Sequence, residues 1–328
     1  MSVVSLRTAS SYAPGVLGPR LAQLLEPLGG MAAYVRPGDR VLLKPNLLTG
    51  ARPAKACTTD PEIVRQVALL VRGCGGKPFL GDSPAFGTGR GVAVANGLLP
   101  ICEELAIPIV EFSSSRYRSA GETFEHLRLG KEAMEADVLI NLPKVKSHMQ
   151  LTVTLGVKNL FGCVPGKMKA WWHMEAGKDS LRFGKMLVET ALTLQPDLTI
   201  IDGIVGHEGN GPSGGEPRAL GLLGASADVF AIDRVFCALL GVDPEQVPVL
   251  CAARALGVIP EELMAGIRLD GPPLEQLRCP DWRLPETMMP IDFGLPRVIR
   301  STMKHLWIRF LKEPLAGGFT RAERRAPL

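Results

Sequence analysis

Short apolar runs alternate with segments of helical period from the first residues to about residue 265, and this alternation constrains the fold more than any other feature. Apolar runs at 2–6, 40–43, 78–81, 107–112, 138–141, 197–202 and 219–224 read as strands. Between them, residues 16–28, 61–71, 92–105, 153–160, 180–194 and 229–240 place apolar residues at helical spacing, and 244–258 and 260–265 continue the pattern. Asp60 and Pro61 form a start signal for the second of these helices, and Gly75-Gly76 a stop. Strands separated by helices predict an α/β fold around a mostly parallel sheet flanked by helices. Right-handed crossovers then bring the residues after each strand to one edge, where open α/β sheets hold their ligands.

That edge is rich in charge. The strand at 40–43 runs into Lys44 and Asn46, and that at 78–81 into Asp82. The strand at 138–141 leads into Lys144, Lys146, Ser147 and His148, with Lys158 and Asn159 shortly after, and the one at 197–202 ends in Asp202. The lysines would neutralise phosphate or carboxylate oxygens as point charges, while Asn46 and Asn159 would orient a ligand through neutral hydrogen bonds. A small anionic ligand is therefore the expected partner.

His148 reads equally as a general base, a metal ligand or a hydrogen-bonded structural histidine. His207 and Glu208 fall in a glycine-rich stretch, 205–215, expected to be a loop. There they would act as base and acid, or ligate a divalent metal with Asp82 or Asp202. Asp233, inside an apolar helix, calls for a partner. Residues 166–177, with Lys167, Lys169, Trp171, Trp172 and His173, read as a flap. The glycines at 87, 89 and 91 fit neither the dinucleotide fingerprint nor a Walker loop.

Charge is unevenly spread. Eight basic and two acidic residues fall from Arg297 onward, so that segment holds +6 of a chain whose net charge is +4, and the body is left at −2. With aromatic residues at only 5%, stacking platforms are scarce, and nothing in the body points to nucleic acid. Residues 297–312 read as a basic amphipathic helix, which packs on the body or docks on a partner protein or an anionic membrane surface. Before it, residues 268–294 carry five prolines and read as a wrapping segment. The expected division is thus 1–265, 266–296 and 297–328. The seven cysteines are widely spaced without a CxxC pair, so neither a zinc ribbon nor a ferredoxin-type 4Fe-4S run is legible. A reduced, cytoplasmic chain is expected, and residues 1–15 lack a signal-peptide pattern.

Several motifs occur together between residues 38 and 240: Lys44-Pro45-Asn46, Gly81-Asp82-Ser83-Pro84, Pro143-Lys144-Val145-Lys146-Ser147-His148, and Gly156-Val157-Lys158-Asn159-Leu160-Phe161-Gly162. They are followed by Asp202, Glu208, Gly209, Gly211, Pro212, Asp228 and Asp233. In this order they resemble the DUF362 family, which is defined by sequence and has no assigned reaction. The resemblance implies a shared α/β core and a shared site. Many members add a ferredoxin-like segment with two four-cysteine motifs; here residues 268–328 hold a single cysteine, Cys279, and the sequence departs from that pattern. Three functions follow as expectations: an enzyme or enzyme-like domain binding an anionic or phosphorylated ligand, an iron–sulfur or redox-associated protein, or an assembly factor using its basic helix.

Overall fold

The structure is a computed structural model of the 328-residue chain. It describes residues 1–85, 87–166, 168–175, 179–291, 303 and 307, with 168, 170, 173 and 174 through their backbone alone. Lys167, the side chain of His173, and the expected basic helix over 297–312 apart from positions 303 and 307 lie outside the described residues.

The first strands are β1 (Ser2–Thr8), β2 (Arg40–Pro45), β3 (Lys77–Gly81) and β4 (Ile109–Val110). A separate antiparallel hairpin, β5 (Ser114–Arg118) and β6 (His126–Gly130), comes next. The main sheet resumes with β7 (Val138–Leu142), β8 (Lys144–His148), β9 (Thr152–Thr154), β10 (Leu198–Glu208), β11 (Glu216–Ser226) and β12 (Ile267–Asp270). Its order is β12-β1-β11-β10-β7-β2-β3-β4, with β8 paired to β10 and β9 to β8. Pairing is parallel from β10 through β7, β2 and β3 to β4, as it is between β10 and β8 and between β1 and β12. It is antiparallel where β11 meets β1 and β10, and where β9 meets β8. The mostly parallel α/β architecture read from the sequence is the one observed.

The helices among the described residues are α1 (Pro14–Leu25), α2 (Pro61–Gly73), α3 (Gly89–Ala95), α4 (Leu98–Glu104), α5 (Lys131–Met134), α6 (Gly156–Leu160), α7 (Met168–Glu175), α8 (Ser180–Leu194), α9 (Val229–Leu239), α10 (Pro248–Ala255) and α11 (Leu274–Leu277). Three of the four longest start on carboxylate caps, while α1 opens on Pro14 without a side-chain cap. Asp60 accepts from the Glu62 N–H, Asp179 from Leu181 and Arg182, and Asp228 from Phe230 and Ala231.

The strands feed two cores because successive side chains face opposite ways. Val41, Leu43, Val138 and Ile140 pack with Leu17, Leu21, Val64 and Val67 of α1 and α2. Leu42 and Leu139 join Phe183, Leu187, Ile232 and Phe236 of α8 and α9. With both faces covered, β2 and β7 carry continuous apolar runs, Val41–Leu43 and Val138–Ile140, rather than alternating.

Local readings differ in five places. The helix expected over 92–105 is two, broken where Gly97 adopts φ +80°. The run at 153–160 splits between β9 and α6, and 260–265 form turns rather than a helix. The post-strand segment 144–148 is itself a strand. The glycine-rich stretch expected as a loop instead extends β10 to Glu208, after a register shift between Gly203 and Val205. In each of the last two, long-range pairing to another strand overrides local polarity or glycine content.

Candidate functional site: a lysine pocket at the strand ends

Lys44 closes β2 at 0% exposure, and burial on that scale demands a partner. Its ammonium lies 2.9 Å from Asp82 Oδ1 at the end of β3 and donates to the Pro45 carbonyl at 2.7 Å. Asp82 also accepts the Leu47 N–H on Oδ2 and the Ser83 N–H on Oδ1. The pair passes so close to Gly162 that a Cβ there would lie 2.0 Å from Asp82 Oδ1 and 2.5 Å from Lys44 Nζ. Glycine at 162 is thus a packing requirement.

Lys144, 1% exposed on β8, is matched by the fully buried Asp202 on β10 at 2.9 Å. The register brings the two side by side. Tyr12 completes this node. Its hydroxyl donates to Asp202 Oδ1 (2.7 Å) and accepts from Lys144 Nζ (2.8 Å) and the Val205 N–H (3.0 Å). Burial and the adjacent Asp202 push the Tyr12 hydroxyl's pKa well up. Asp60, ahead of α2, donates its N–H to Asp202 Oδ2.

Lys146, two residues on, donates to Asn46 Oδ1 (2.8 Å) and the Cys57 carbonyl (2.7 Å). Asn46 passes a hydrogen bond to Asn159 Oδ1 (2.9 Å), and Asn159 donates to Asn141 Oδ1 (2.9 Å) and the Lys44 carbonyl (3.1 Å). The three asparagines thus lock the ends of β2 and β7 to α6. Asp233 of α9 accepts the N–H groups of Gly156 (2.6 Å) and Val157 (3.0 Å) at the start of α6. Burial raises the Asp233 carboxyl to about 7.

Lys158 of α6 and Lys169 of α7 face the same region. Lys158 Nζ sits 4.2 Å from the centroid of the Phe161 ring. Lys169 Nζ donates to the Ser83 carbonyl. Burial lowers Lys158 to about 7, with Lys169, Lys146 and Lys44 adding repulsion and Asp82 opposing it. Burial likewise brings Lys146 to about 7 and Lys169 to about 8. Four lysines therefore act on one carboxylate, Asp82, among the described residues. The expected flap holds α7, which reaches the pocket through Lys169 and through the Gly166 N–H on Ser83 Oγ. It is pinned to the body by Trp172 stacked edge-on to Phe124.

The acid–base candidates lie at the far end of β10. His207 is beside Lys146 in the strand register, but both its ring nitrogens are engaged: Nδ1 donates to the Lys55 carbonyl (2.9 Å) and Nε2 accepts the Gly215 N–H (3.0 Å). That pattern defines a neutral tautomer, and burial and Lys146 lower its pKa. Glu208 is held by Arg283 at 2.7 Å and accepts that residue's backbone N–H, clamping the proline-rich segment to β10. His148 accepts the Gln150 N–H on Nδ1. The structure thus brings Lys44, Asn46, Asp82, Lys146, Lys158 and Asn159 together, sets Lys144 and Asp202 in an adjoining node, and gives His207 and Glu208 hydrogen-bonded roles within β10. Among the described residues no three His, Cys, Asp or Glu side chains gather as a metal site. Asp82 and Asp202 are each committed to a lysine.

A family model described as Domain of unknown function (DUF362) matches residues 41–238. The chain belongs to the DUF362 family. A curated relative, "Thylakoid-associated protein sll1697" of Synechocystis sp. (strain ATCC 27184 / PCC 6803 / Kazusa), is 62% identical over 312 residues, spanning 95% of this chain and 97% of the relative. Among solved structures, the lactate racemase apoprotein from Thermoanaerobacterium thermosaccharolyticum superposes with a TM-score of 0.46 and 13% identity, over 68% of this chain and 54% of that one. In this DUF362 chain every pocket lysine falls inside the matched region, while Tyr12 and Arg283 lie outside it. Tyr12 was not foreseeable: it stands in a polar turn before α1, with no local pattern marking it as Asp202's partner. Thr59, which accepts the Asn46 N–H and donates to the Leu142 carbonyl, is equally silent in the sequence.

Proposed function

We propose that this chain is an enzyme or enzyme-like domain binding a small anionic ligand, a carboxylate or phosphate ester, in the lysine pocket. One observation carries the reading. Lys44, Lys146 and Lys169 all donate to protein oxygens, whereas Lys158 Nζ has no oxygen acceptor among the described residues and only the Phe161 ring against it. A cation kept among other cations without an acceptor is stabilised by an incoming anion.

Titration calorimetry with pyrophosphate tests this. Lys158→Ala should weaken binding about tenfold to a hundredfold, the worth of a charge-assisted hydrogen bond, while leaving the melting temperature of the free protein unchanged. Equal affinities in the two proteins would rule the reading out.

The pH dependence has a definite sign. Lys158 must be protonated to hold the anion, so affinity should fall as pH rises from about 7 to 9, and binding at pH 8 should take up protons. Asp82 is the carboxylate facing Lys158; Lys44, Lys146 and Lys169 are the facing cations. Calorimetry in buffers of different ionisation enthalpy reads the uptake directly. Proton release would contradict the assignment.

A second reading concerns membrane association. The relative's name places it with thylakoids, and residues 297 onward hold +6. No helix of the described residues is long and apolar enough to cross a membrane. We read the chain as one that docks peripherally on anionic lipid through residues 297–312. Sedimentation with phosphatidylglycerol vesicles at low salt should retain the protein. The triple change Arg297→Glu, Arg300→Glu, Lys304→Glu should release it, at about 1 kcal/mol per charge. Retention of the triple variant would discard this mode.

A further inference from the structure

We infer that Lys158 is a nucleophilic amine that forms an imine with the carbonyl of a small 2-oxo acid, whose carboxylate is held by the neighbouring lysines. The inference rests on the anion-binding reading and adds the reacting atom. The pocket lysines are not equivalent. Lys44 is tied to Asp82 and Pro45, Lys146 to Asn46 and Cys57, and Lys169 to Ser83. Lys158 alone of the four has no oxygen acceptor among the described residues; half-buried, its Nζ lies 4.2 Å from the centroid of the Phe161 ring, nearer than that of Lys169 at 5.9 Å.

A protonated amine tied to an oxygen cannot attack, because its electron pair is occupied. Lys158 holds an anion in its protonated form and attacks a carbonyl in its neutral form; desolvation beside other cations makes the neutral form, with its exposed pair, accessible near neutral pH, which is how lysines are made nucleophilic. The lowering of Lys158 to about 7 agrees with this placement.

Lys158 is also held in place. The N–H groups that begin α6 are fixed by Asp233, and the next residue, Asn159, is bonded to Asn46, Asn141 and the Lys44 carbonyl. The backbone beneath the amine is therefore anchored on both sides, as a reacting group requires. Lys44 and Lys146 supply the positive field that a 2-oxo acid's carboxylate needs.

The step balances without an oxidant or reductant. The Lys158 nitrogen pair forms a bond to the carbonyl carbon, and the carbon–oxygen π pair moves to oxygen. Two protons pass from nitrogen to that oxygen, with Lys169, whose charge acts most strongly on Lys158, as the relay. The oxygen leaves as water and the carbon–nitrogen double bond remains.

The test treats the full chain with pyruvate and sodium cyanoborohydride, followed by intact-mass analysis and peptide mapping. A single reduced pyruvate adduct on Lys158 is expected. At pH 7 it should form at least about tenfold faster than on surface lysines, which keep their protons. Pyrophosphate should suppress it, and Lys158→Arg, which preserves the charge, should abolish it while melting like the parent. An adduct scattered over surface lysines, or none on Lys158, overturns the inference. If pyrophosphate still binds in that case, the anion pocket stands and only the imine falls; if it does not bind, both fall.

Discussion

Asp202→Ala is expected to destabilise the chain by about 3–5 kcal/mol, the range for removing one partner of a buried ion pair. Lys144 is 1% exposed, and without Asp202 its ammonium would keep only the Tyr12 hydroxyl at 2.8 Å. The same change strands the Tyr12 hydroxyl, which donates to Asp202 at 2.7 Å, and removes an acceptor from the Asp60 N–H that opens α2. Urea unfolding with linear extrapolation gives the loss directly. Two companion variants separate the causes. Tyr12→Phe should cost only about 1 kcal/mol, a neutral hydrogen bond. Adding Lys144→Met to Asp202→Ala should recover much of the loss, since the penalty lies in a lone buried charge rather than in the absence of the pair. A single-variant loss below about 1 kcal/mol would mean that water or a shifted lysine compensates, and that Asp202 is not needed to hold Lys144 in the interior.

Gly162→Ala is the second large effect, and it couples stability to the pocket. The new methyl would stand 2.0 Å from Asp82 Oδ1, 2.5 Å from Lys44 Nζ and 2.6 Å from Lys44 Cε. All three atoms belong to one buried ion pair, and the Leu47 and Ser83 N–H groups on Asp82 restrict its movement. Overpacking of this kind costs about 1–3 kcal/mol, and spreading the ion pair adds to it. A loss of about 3 kcal/mol is expected, with pyrophosphate binding at least about tenfold weaker because Lys44 is displaced from the pocket. Gly15→Ala is the control: nothing lies within 4 Å of its Cβ, and the change should be neutral or slightly stabilising. If Gly162→Ala and Gly15→Ala behave alike, the close approach of Lys44 and Asp82 to this glycine is not a feature of the protein in solution.

These two sites also mark the boundary between local and global information. The alternation of apolar runs and helical segments, the carboxylate cap at Asp60, and the charged residues after β2, β3 and β7 are all local signals. They sufficed for the parallel sheet and for the edge where Lys44, Asp82 and Lys146 meet, while the family was legible from its resemblance in the motifs between Lys44 and Asp233. Residues 144–148 defeated the same reasoning. Two lysines, a serine and a histidine read as a segment following the strand at 138–141, yet they form a buried strand of their own, because Asp202 and Asn46 neutralise or bind the lysines from afar. The stretch through His207 was equally opaque, since its glycines signal a loop until pairing with β11 is known.

The sequence by itself determined the fold class and which strand ends carry charge, for periodicity and strand-end chemistry depend on near neighbours along the chain. The tertiary structure decided which lysines are neutralised and which one is left without an acceptor. It also decided that both nitrogens of His207 are occupied, that Tyr12 closes the Asp202 node and that residue 162 must be glycine. Those outcomes depend on groups far apart in the chain meeting within about 3 Å in a medium of low dielectric, where a buried charge must be matched. Residue order alone has no term for that distance.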